Sequence, residues 1–208
     1  MAGRATLASE AESAGGRRTR RSRITPEREA ELYEAVLDLL GEVGYEALTM
    51  GEVATRTHCS KATLYRQWTG KPELVAMALR HDRAGNLADI DTGTLRGDFH
   101  ALAAQMGDSR MQKNSDLVRS LLQAVHTHPE LLQAVRELFV DPELTGLDAL
   151  LRRAVERGEL AAEDPALTYI PHILVGALIT RPLLEDRPVD EAFFVGYIDA
   201  ALLSVLGV

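Results

Sequence analysis

Apolar residues recur at helical spacing along most of the chain, and no segment alternates between apolar and polar positions as a strand would. The first apolar face is formed by residues three or four positions apart, namely Leu32, Val36, Leu39, Leu40 and Val43. Thr25 supplies an N-cap and Pro26 a first helical residue, while Gly44 is predicted to end this helix in a left-handed conformation. The pattern predicts an all-α protein.

Two short helices are predicted next. Thr49 and Glu52 form a capping box at the start of the first one. Residues 57–59 then make a three-residue turn, and Ser60 caps a second helix that runs to about Trp68. A short helix, a tight turn and another short helix constitute a helix-turn-helix, whose second helix fits the major groove of DNA.

The remaining pattern divides the chain into three parts. Residues 1–23 are rich in Gly, Ala, Ser and Arg and are predicted to be a disordered basic arm. Residues 24–83 form the helix-turn-helix domain, and a loop at 84–94 opens a C-terminal helical domain over 84–208. Within that domain, Pro142 should break or kink a helix that otherwise continues to Gly158. The last two helices are predicted at about 165–184 and 190–206.

Charge is distributed unevenly along the 208 residues, whose net charge is −8. Residues 1–80 hold 12 Lys/Arg against 11 Asp/Glu, whereas residues 81–208 hold 11 against 20. Two segments are locally basic, one in the arm around Arg20, Arg21 and Arg23 and one around Lys61, Arg66 and Lys71. Phosphate contacts depend on such local patches and not on the total charge.

The sequence also indicates the compartment. The single cysteine, Cys59, cannot form an internal disulfide and suits a reducing cytoplasm. No signal peptide is visible, since the arm lacks an apolar core. The apolar stretch at 166–184 contains His172 and Arg181, which favours a buried helix over a membrane span. For Arg181, a salt bridge or helix cap is favoured over contact with a ligand.

The segment after the turn resembles the TetR family of bacterial repressors. It reads Ser60-Lys61-Ala62-Thr63-Leu64-Tyr65-Arg66-Gln67-Trp68, followed by Gly70-Lys71-Pro72-Glu73-Leu74. Leu48-Thr49 before the motif and the segment Leu150–Leu160 in the C-terminal half are similar to that family as well. The turn departs from the family pattern, because His58 stands where glycine is usual. Histidine tolerates the left-handed region better than most residues do.

The resemblance implies a DNA-binding role for particular residues. Contacts to the DNA backbone are implied for Thr49, Tyr65 and Lys71. The recognition helix is implied to contact DNA through Ser60, Lys61, Ala62, Thr63 and Arg66. The arginines of the arm resemble extensions that reach phosphates or the minor groove, although a solubilising tail would have the same composition.

The resemblance further implies a homodimer that binds a near-palindromic operator and is released by a small, apolar effector. Candidate pocket residues are Phe99, Met106, Leu122, His126, Tyr169 and His172. Candidate dimer-interface residues are Leu174, Leu178, Phe193, Tyr197 and Ala201. No cofactor and no metal site is expected, and for His172 a buried structural role stays open beside a role in the pocket.

Other classes of function have less support. The sequence lacks a nucleophile elbow, a phosphate-binding loop, a dinucleotide fingerprint and a zinc-protease motif, so we do not expect an enzyme. A non-specific structural DNA-binding protein is an alternative, but the net charge disfavours it. A helical module that binds a small molecule without DNA activity is the other alternative, and His58 in the turn is the feature that favours it.

Overall fold

The computed structural model describes residues 24–83, 85–107 and 115–208, and the regular structure in these ranges is entirely helical. The α-helices of these ranges are α1 (Pro26–Ala47), α2 (Met50–Arg56), α3 (Lys61–Gln67), α4 (Lys71–Asp82), α5 (Leu95–Gly107), α6 (Ser115–Thr127), α7 (Pro129–Val135), α8 (Asp141–Glu156), α9 (Ile170–Glu185), α10 (Glu191–Tyr197) and α11 (Leu203–Leu206). Short 3₁₀ turns lie at Leu87–Asp89 and Pro165–Tyr169, and wider π-turns at Arg136–Val140 and Ile198–Leu202. The predicted all-α class is confirmed.

Helix α1 begins at its predicted cap, because the Thr25 hydroxyl accepts the Arg28 N–H at 3.3 Å. Gly44 interrupts the helix with a φ of 76°, after which one more helical turn continues to Ala47. The apolar face is buried at Leu32, Val36, Leu39 and Leu40. The inward position predicted for Val43 is wrong, since this side chain lies in an open groove between α1 and α2 and is exposed.

Helices α1 to α4 enclose one hydrophobic core, which the second half of the chain completes. Leu64 of α3 and Val53 of α2 are fully buried in it, and Trp68 makes an edge-to-face ring contact with Tyr33 at 5.7 Å. Helices α6 and α7 add Leu117, Leu121, Ala124, Leu131 and Val135 to the same core. The domain boundary after residue 83 stays a prediction, because this core draws on residues from both sides of it.

A second core joins α5 and α8 to the last helices, and its largest fully buried side chains are Phe99 and Phe194. The loop after α8 contacts the start of α5. There Arg157 pairs with the buried Asp98 at 3.0 Å, and Glu159 accepts the Leu95 N–H at 2.6 Å. The left-handed Gly158, with a φ of 77°, allows the chain to turn between these two contacts.

Pro142 does not end its helix. The π-turn at Arg136–Val140 comes directly before α8, and the Asp141 N–H donates to the Arg136 carbonyl. Pro142 then lies in the first turn of α8, where a missing N–H costs no hydrogen bond within the helix. The local disruption predicted here is therefore a widened turn in a chain that remains helical.

Candidate nucleic-acid interface and ligand cavity

Helix α3 has one buried face and one exposed face. The Ser60 hydroxyl caps it by accepting the Thr63 N–H at 3.0 Å and lies 2.8 Å from the Thr63 hydroxyl. Leu64 anchors the buried face in the first core. The opposite face presents Lys61, Ala62, Tyr65, Arg66 and Gln67 to solvent, with Thr63 half-buried beside them. The structure thus brings the predicted recognition residues together on one surface.

This surface is positively charged, because residues 60–67 contain no acidic side chain. Within the described residues, neither Lys61 nor Arg66 forms an ion pair, so both cations are available to phosphates. Arg56 at the end of α2 is different, since two of its nitrogens lie 3.2 and 2.7 Å from the Glu42 carboxylate. Hydrogen bonding to Arg56 lowers the pKa of Glu42 and keeps this pair charged and mutually neutralised.

Glycine at position 51 allows α2 and α3 to share one edge of this surface. A β-carbon on Gly51 would lie 2.9 Å from both Cε and Nζ of Lys61 and 3.5 Å from the Thr49 hydroxyl. The Lys61 side chain therefore lies against the first turn of α2. Thr49 itself caps α2 through a reciprocal capping box with Glu52, which confirms the predicted start of that helix.

The turn between α2 and α3 adopts the predicted left-handed conformation at His58, whose φ is 50°. Its flanking residues are fixed by hydrogen bonds: the Thr57 hydroxyl donates to the Val53 carbonyl at 2.7 Å, and the Cys59 N–H donates to the Ala54 carbonyl at 2.9 Å. The Arg28 guanidinium also donates to the Thr57 carbonyl from α1. Nothing in the motif points to Arg28, because the two residues are 29 positions apart.

Lys71 points towards the protein. Its ammonium donates to the Tyr45 carbonyl at 2.8 Å and lies 3.9 Å from the centre of the Tyr45 ring. Burial lowers its pKa. An ammonium has three N–H donors, so the bond to Tyr45 leaves others free for a phosphate. The DNA contact of Lys71 stays a prediction, as do those of Arg20, Arg21 and Arg23, which lie outside the described residues.

A cavity of about 370 Å³ lies between α4, α5, α6, α7, α8 and α9. Its lining is largely apolar and includes Leu102, Leu121, Phe139, Leu147, Leu174 and Leu178. Met106 and Leu122 of the predicted pocket line it as well. A mostly apolar cavity of this kind, with a few polar groups, is typical of small-molecule sites.

The other predicted pocket residues do not line this cavity. Phe99 is fully buried within the second core. His126 and His172 follow the lining residues Val125 and Pro171 by one position, and one step along a helix turns a side chain by about 100° to another face. Tyr169 is exposed and lies in the 3₁₀ turn before α9.

One wall of the cavity is polar. It carries Arg83, the residue directly after α4, with Gln105 of α5 and Glu143 of α8. The Arg83 Nε lies 2.8 Å from a Glu143 oxygen, and both side chains are mostly buried. Burial lowers the pKa of Arg83 and raises that of Glu143. The sequence offers no signal for this group, because its members lie after α4, in α5 and in α8 and share no motif.

Of the predicted dimer-interface residues, Leu174 is buried within its own chain, and the interface itself stays a prediction. Leu174 is buried in the second core and, with Leu178, faces the cavity of its own chain. Phe193 and Tyr197 are half-buried and stacked at 6.0 Å, and Ala201 is half-buried too. The apolar side chains that α9 and α11 expose are Val175, Leu183, Leu184 and Val205. Arg181 is buried and pairs with Asp190 at 3.3 Å, as the predicted salt bridge requires.

Two family models match this chain. The model described as bacterial regulatory proteins, tetR family, matches residues 32–78, which include the helix-turn-helix. The model described as the tetracyclin repressor-like C-terminal domain matches residues 89–201, which include most of the second core. Together the two models cover the candidate interface and most of the cavity lining, whereas Leu79, Asp82, Arg83 and Leu87 of that lining lie between the two matches.

Individual proteins are similar over nearly the same length. The chain is 35% identical over 180 residues to the DNA-binding transcriptional repressor TetR of Mycobacteroides abscessus, a match that covers 86% of this chain and 94% of that protein. It is 32% identical over 182 residues to an HTH-type transcriptional regulator of Mycobacterium tuberculosis, with 86% and 88% covered. The crystal structure of a TetR family transcription regulator is similar with a TM-score of 0.64 and 30% identity, covering 86% and 98%.

Proposed function

Since this chain belongs to the TetR family of bacterial regulatory proteins, we propose that it is a cytoplasmic repressor that binds a near-palindromic operator as a homodimer and is released by a small molecule. The observation that carries the proposal is the exposed basic face of α3. This face combines hydroxyl groups with two cations that form no ion pair among the described residues, on a helix whose other side is anchored in a core.

The surface chemistry of α3 suits it to recognise the base sequence of DNA. The major groove is wide enough to admit a helix, and its base edges present donors and acceptors. Ser60, Thr63 and Tyr65 offer hydroxyl groups, and Arg66 offers the fork of donors that suits guanine. Thr49 and Lys61, which lie together at the edge of this surface, are placed to contact the adjacent phosphates.

The exposed apolar surface of α9 and α11 supports a dimer. The stretch Pro165–Glu185 is long and apolar enough to cross a membrane by length and composition alone, and only 22% of its most apolar window is buried within one chain. Gly176 and Gly196 face open space, so a second helix could approach closely there. A two-fold dimer through this surface would place its recognition helices on half-sites about one DNA turn or more apart.

The cavity supports regulation by a small molecule. It adjoins α4, which packs within the same core as the DNA-binding helices. A ligand that moves α4 would change the spacing of the two recognition helices. Coupling of this kind typically changes affinity about 5–150-fold.

The decisive experiment is an electrophoretic mobility shift and salt titration with the full chain and the intergenic DNA beside its gene. We expect a specific complex on a near-palindromic site. Lys61→Ala should weaken it and lower the slope of log K against log salt by about 1. Arg152→Ala removes the same charge from the exposed surface of α8 and serves as the matched control.

Other outcomes would support the alternatives. Equal affinity for unrelated DNA, with a steep salt slope, would indicate a non-specific structural protein. An unchanged slope of log K against log salt in the Lys61→Ala variant would exclude a contact between Lys61 and a phosphate. No DNA binding at all would favour a module that binds a small molecule only.

A further inference from the structure

The polar wall of the cavity contains hydrogen-bonding groups without partners. Arg83 Nε lies near Glu143, but its N–H is not directed at the carboxylate oxygen, so Nε lacks an acceptor among the described residues. Arg83 Nη2 lacks an acceptor there too. Gln105 Oε1 is buried without a donor within the same ranges. Buried polar groups are nearly always paired, so these atoms point to a partner that binds from the cavity.

Gln105 lies beside the chain segment that follows Arg83. The Gln105 amide is 3.2–3.4 Å from the position of a β-carbon on Gly85, which is two residues after Arg83. A φ of 80° at Gly85 suits a residue without a side chain, and the amide occupies the space beside it. Arg83 and Gln105, which both line the cavity, therefore present two donor nitrogens and one acceptor oxygen to a largely apolar site.

We propose that the effector is an apolar molecule with a neutral hydroxyl head, which accepts from Arg83 and donates to Gln105. This inference rests on the proposed function. A hydroxyl group is both donor and acceptor, so it can satisfy both residues. The apolar body would lie against Leu102, Leu121, Phe139, Leu147, Leu174 and Leu178.

The charges of the lining favour a neutral head over an anionic one. The charged residues that line the cavity are Asp82, Arg83, Arg136 and Glu143, whose formal charges cancel. A carboxylate would add an unbalanced negative charge to a largely apolar site, and burial of such a charge is costly. A hydroxyl group adds none.

The position of Arg83 connects the site to DNA binding. Arg83 directly follows α4, and Glu143 lies in the first turn of α8, so the ion pair links those two helices. A ligand head that draws Arg83 into the cavity must alter this link. Arg83 is thus both the contact for the head and the point from which α4 would be moved.

The test compares three straight-chain ligands by calorimetric titration of the full chain without DNA: decan-1-ol, its donor-free analogue 1-methoxynonane, and decanoate. We expect decan-1-ol to bind about 10-fold more tightly than the ether, because only the alcohol can donate to Gln105. Gln105→Leu should abolish that preference. Gln133→Leu, a change of the same kind at an exposed position of α7, should leave it intact.

Three results would overturn the inference: decanoate binding as tightly as the alcohol, a preference that survives Gln105→Leu, or no binding of decan-1-ol up to its solubility limit. Circular dichroism of both variants excludes loss of the fold as the cause. DNA affinity is measured separately. If the alcohol binds with the expected preference while operator affinity stays unchanged, the ligand class stands and release by the effector fails.

Discussion

Replacing Arg28 with methionine should weaken the turn of the helix-turn-helix. The Arg28 guanidinium donates to the Thr57 carbonyl, next to the left-handed His58. Hydrogen bonds that involve a charged group contribute about 1.5–3 kcal/mol. The Arg28 side chain is 42% exposed, so water replaces part of this bond, and we expect a loss of about 1 kcal/mol in the free energy of unfolding. Methionine retains most of the apolar stem, so the change mainly removes the donor.

Glu31→Gln provides the control, because Arg28 also forms an exposed ion pair with Glu31 at 2.5 Å. Exposed pairs of this kind contribute about 0.3–0.5 kcal/mol. Urea denaturation followed by circular dichroism measures the stability of both variants, and a mobility shift measures operator affinity. Arg28→Met should lose more stability than Glu31→Gln and should weaken DNA binding. Equal losses in the two variants would refute a role for the carbonyl bond in holding the turn.

His58→Gly also tests whether the Arg28 bond supports the left-handed turn. A non-glycine residue in the left-handed region costs about 1 kcal/mol, and glycine adopts this region freely. A turn that carries glycine needs less support from Arg28, so the loss caused by Arg28→Met should shrink by about 0.5 kcal/mol in the double variant. If the changes in the free energy of unfolding caused by Arg28→Met and His58→Gly are strictly additive in the double variant, the two residues act independently.

Three further predictions concern stability, its dependence on pH, and assembly. Tyr45→Phe should leave the free energy of unfolding unchanged or raise it by up to about 1 kcal/mol, because the buried Tyr45 hydroxyl has no partner in the described ranges. Tyr33→Phe should instead lower it by about 1 kcal/mol, because the Tyr33 hydroxyl bonds to Glu29 at 2.8 Å. Burial raises the pKa of Tyr45 to about 12, so the unfolded chain loses this proton at a lower pH than the folded chain does. The free energy of unfolding therefore falls as pH rises from about 10. In urea denaturation at pH 11, Tyr45→Phe should show a smaller decrease than the original chain. Gly176→Leu should shift the chain from dimer to monomer in sedimentation velocity while Ala162→Leu does not, and a dimer unaffected by the change would place the interface elsewhere.

The sequence was informative where structure depends on neighbouring residues. The caps at Thr25, Thr49 and Ser60 each involve a residue three positions away, and all three are confirmed. The left-handed conformation of His58 was implied by the family resemblance, because glycine is usual at this position of the turn. These features could be predicted because spacing along a helix fixes which side chains meet.

The prediction failed where a helix is apolar on nearly every side. In α9, apolar residues occupy so many positions that periodicity does not select an inward face. Periodicity therefore leaves Leu174 among the candidates for a dimer surface, whereas the structure buries it in the core of its own chain. The Arg83–Glu143 pair joins residues 60 positions apart, and only tertiary structure brings such residues together.

The two ends of α4 explain how these distant features could act together. At its start, Lys71 ties the helix to the end of α1 through the Tyr45 carbonyl. Directly after its end, Arg83 ties it to α8 through Glu143. The 12 residues of α4 span about 18 Å, and the helix buries Leu74, Val75 and Ala78 in the core that holds α2 and α3. A packed helix tends to move as a rigid element. On the proposed mechanism, a ligand that shifts the end of α4 through Arg83 would therefore also shift the contacts at Lys71, and with them the part of the fold that presents the recognition helix.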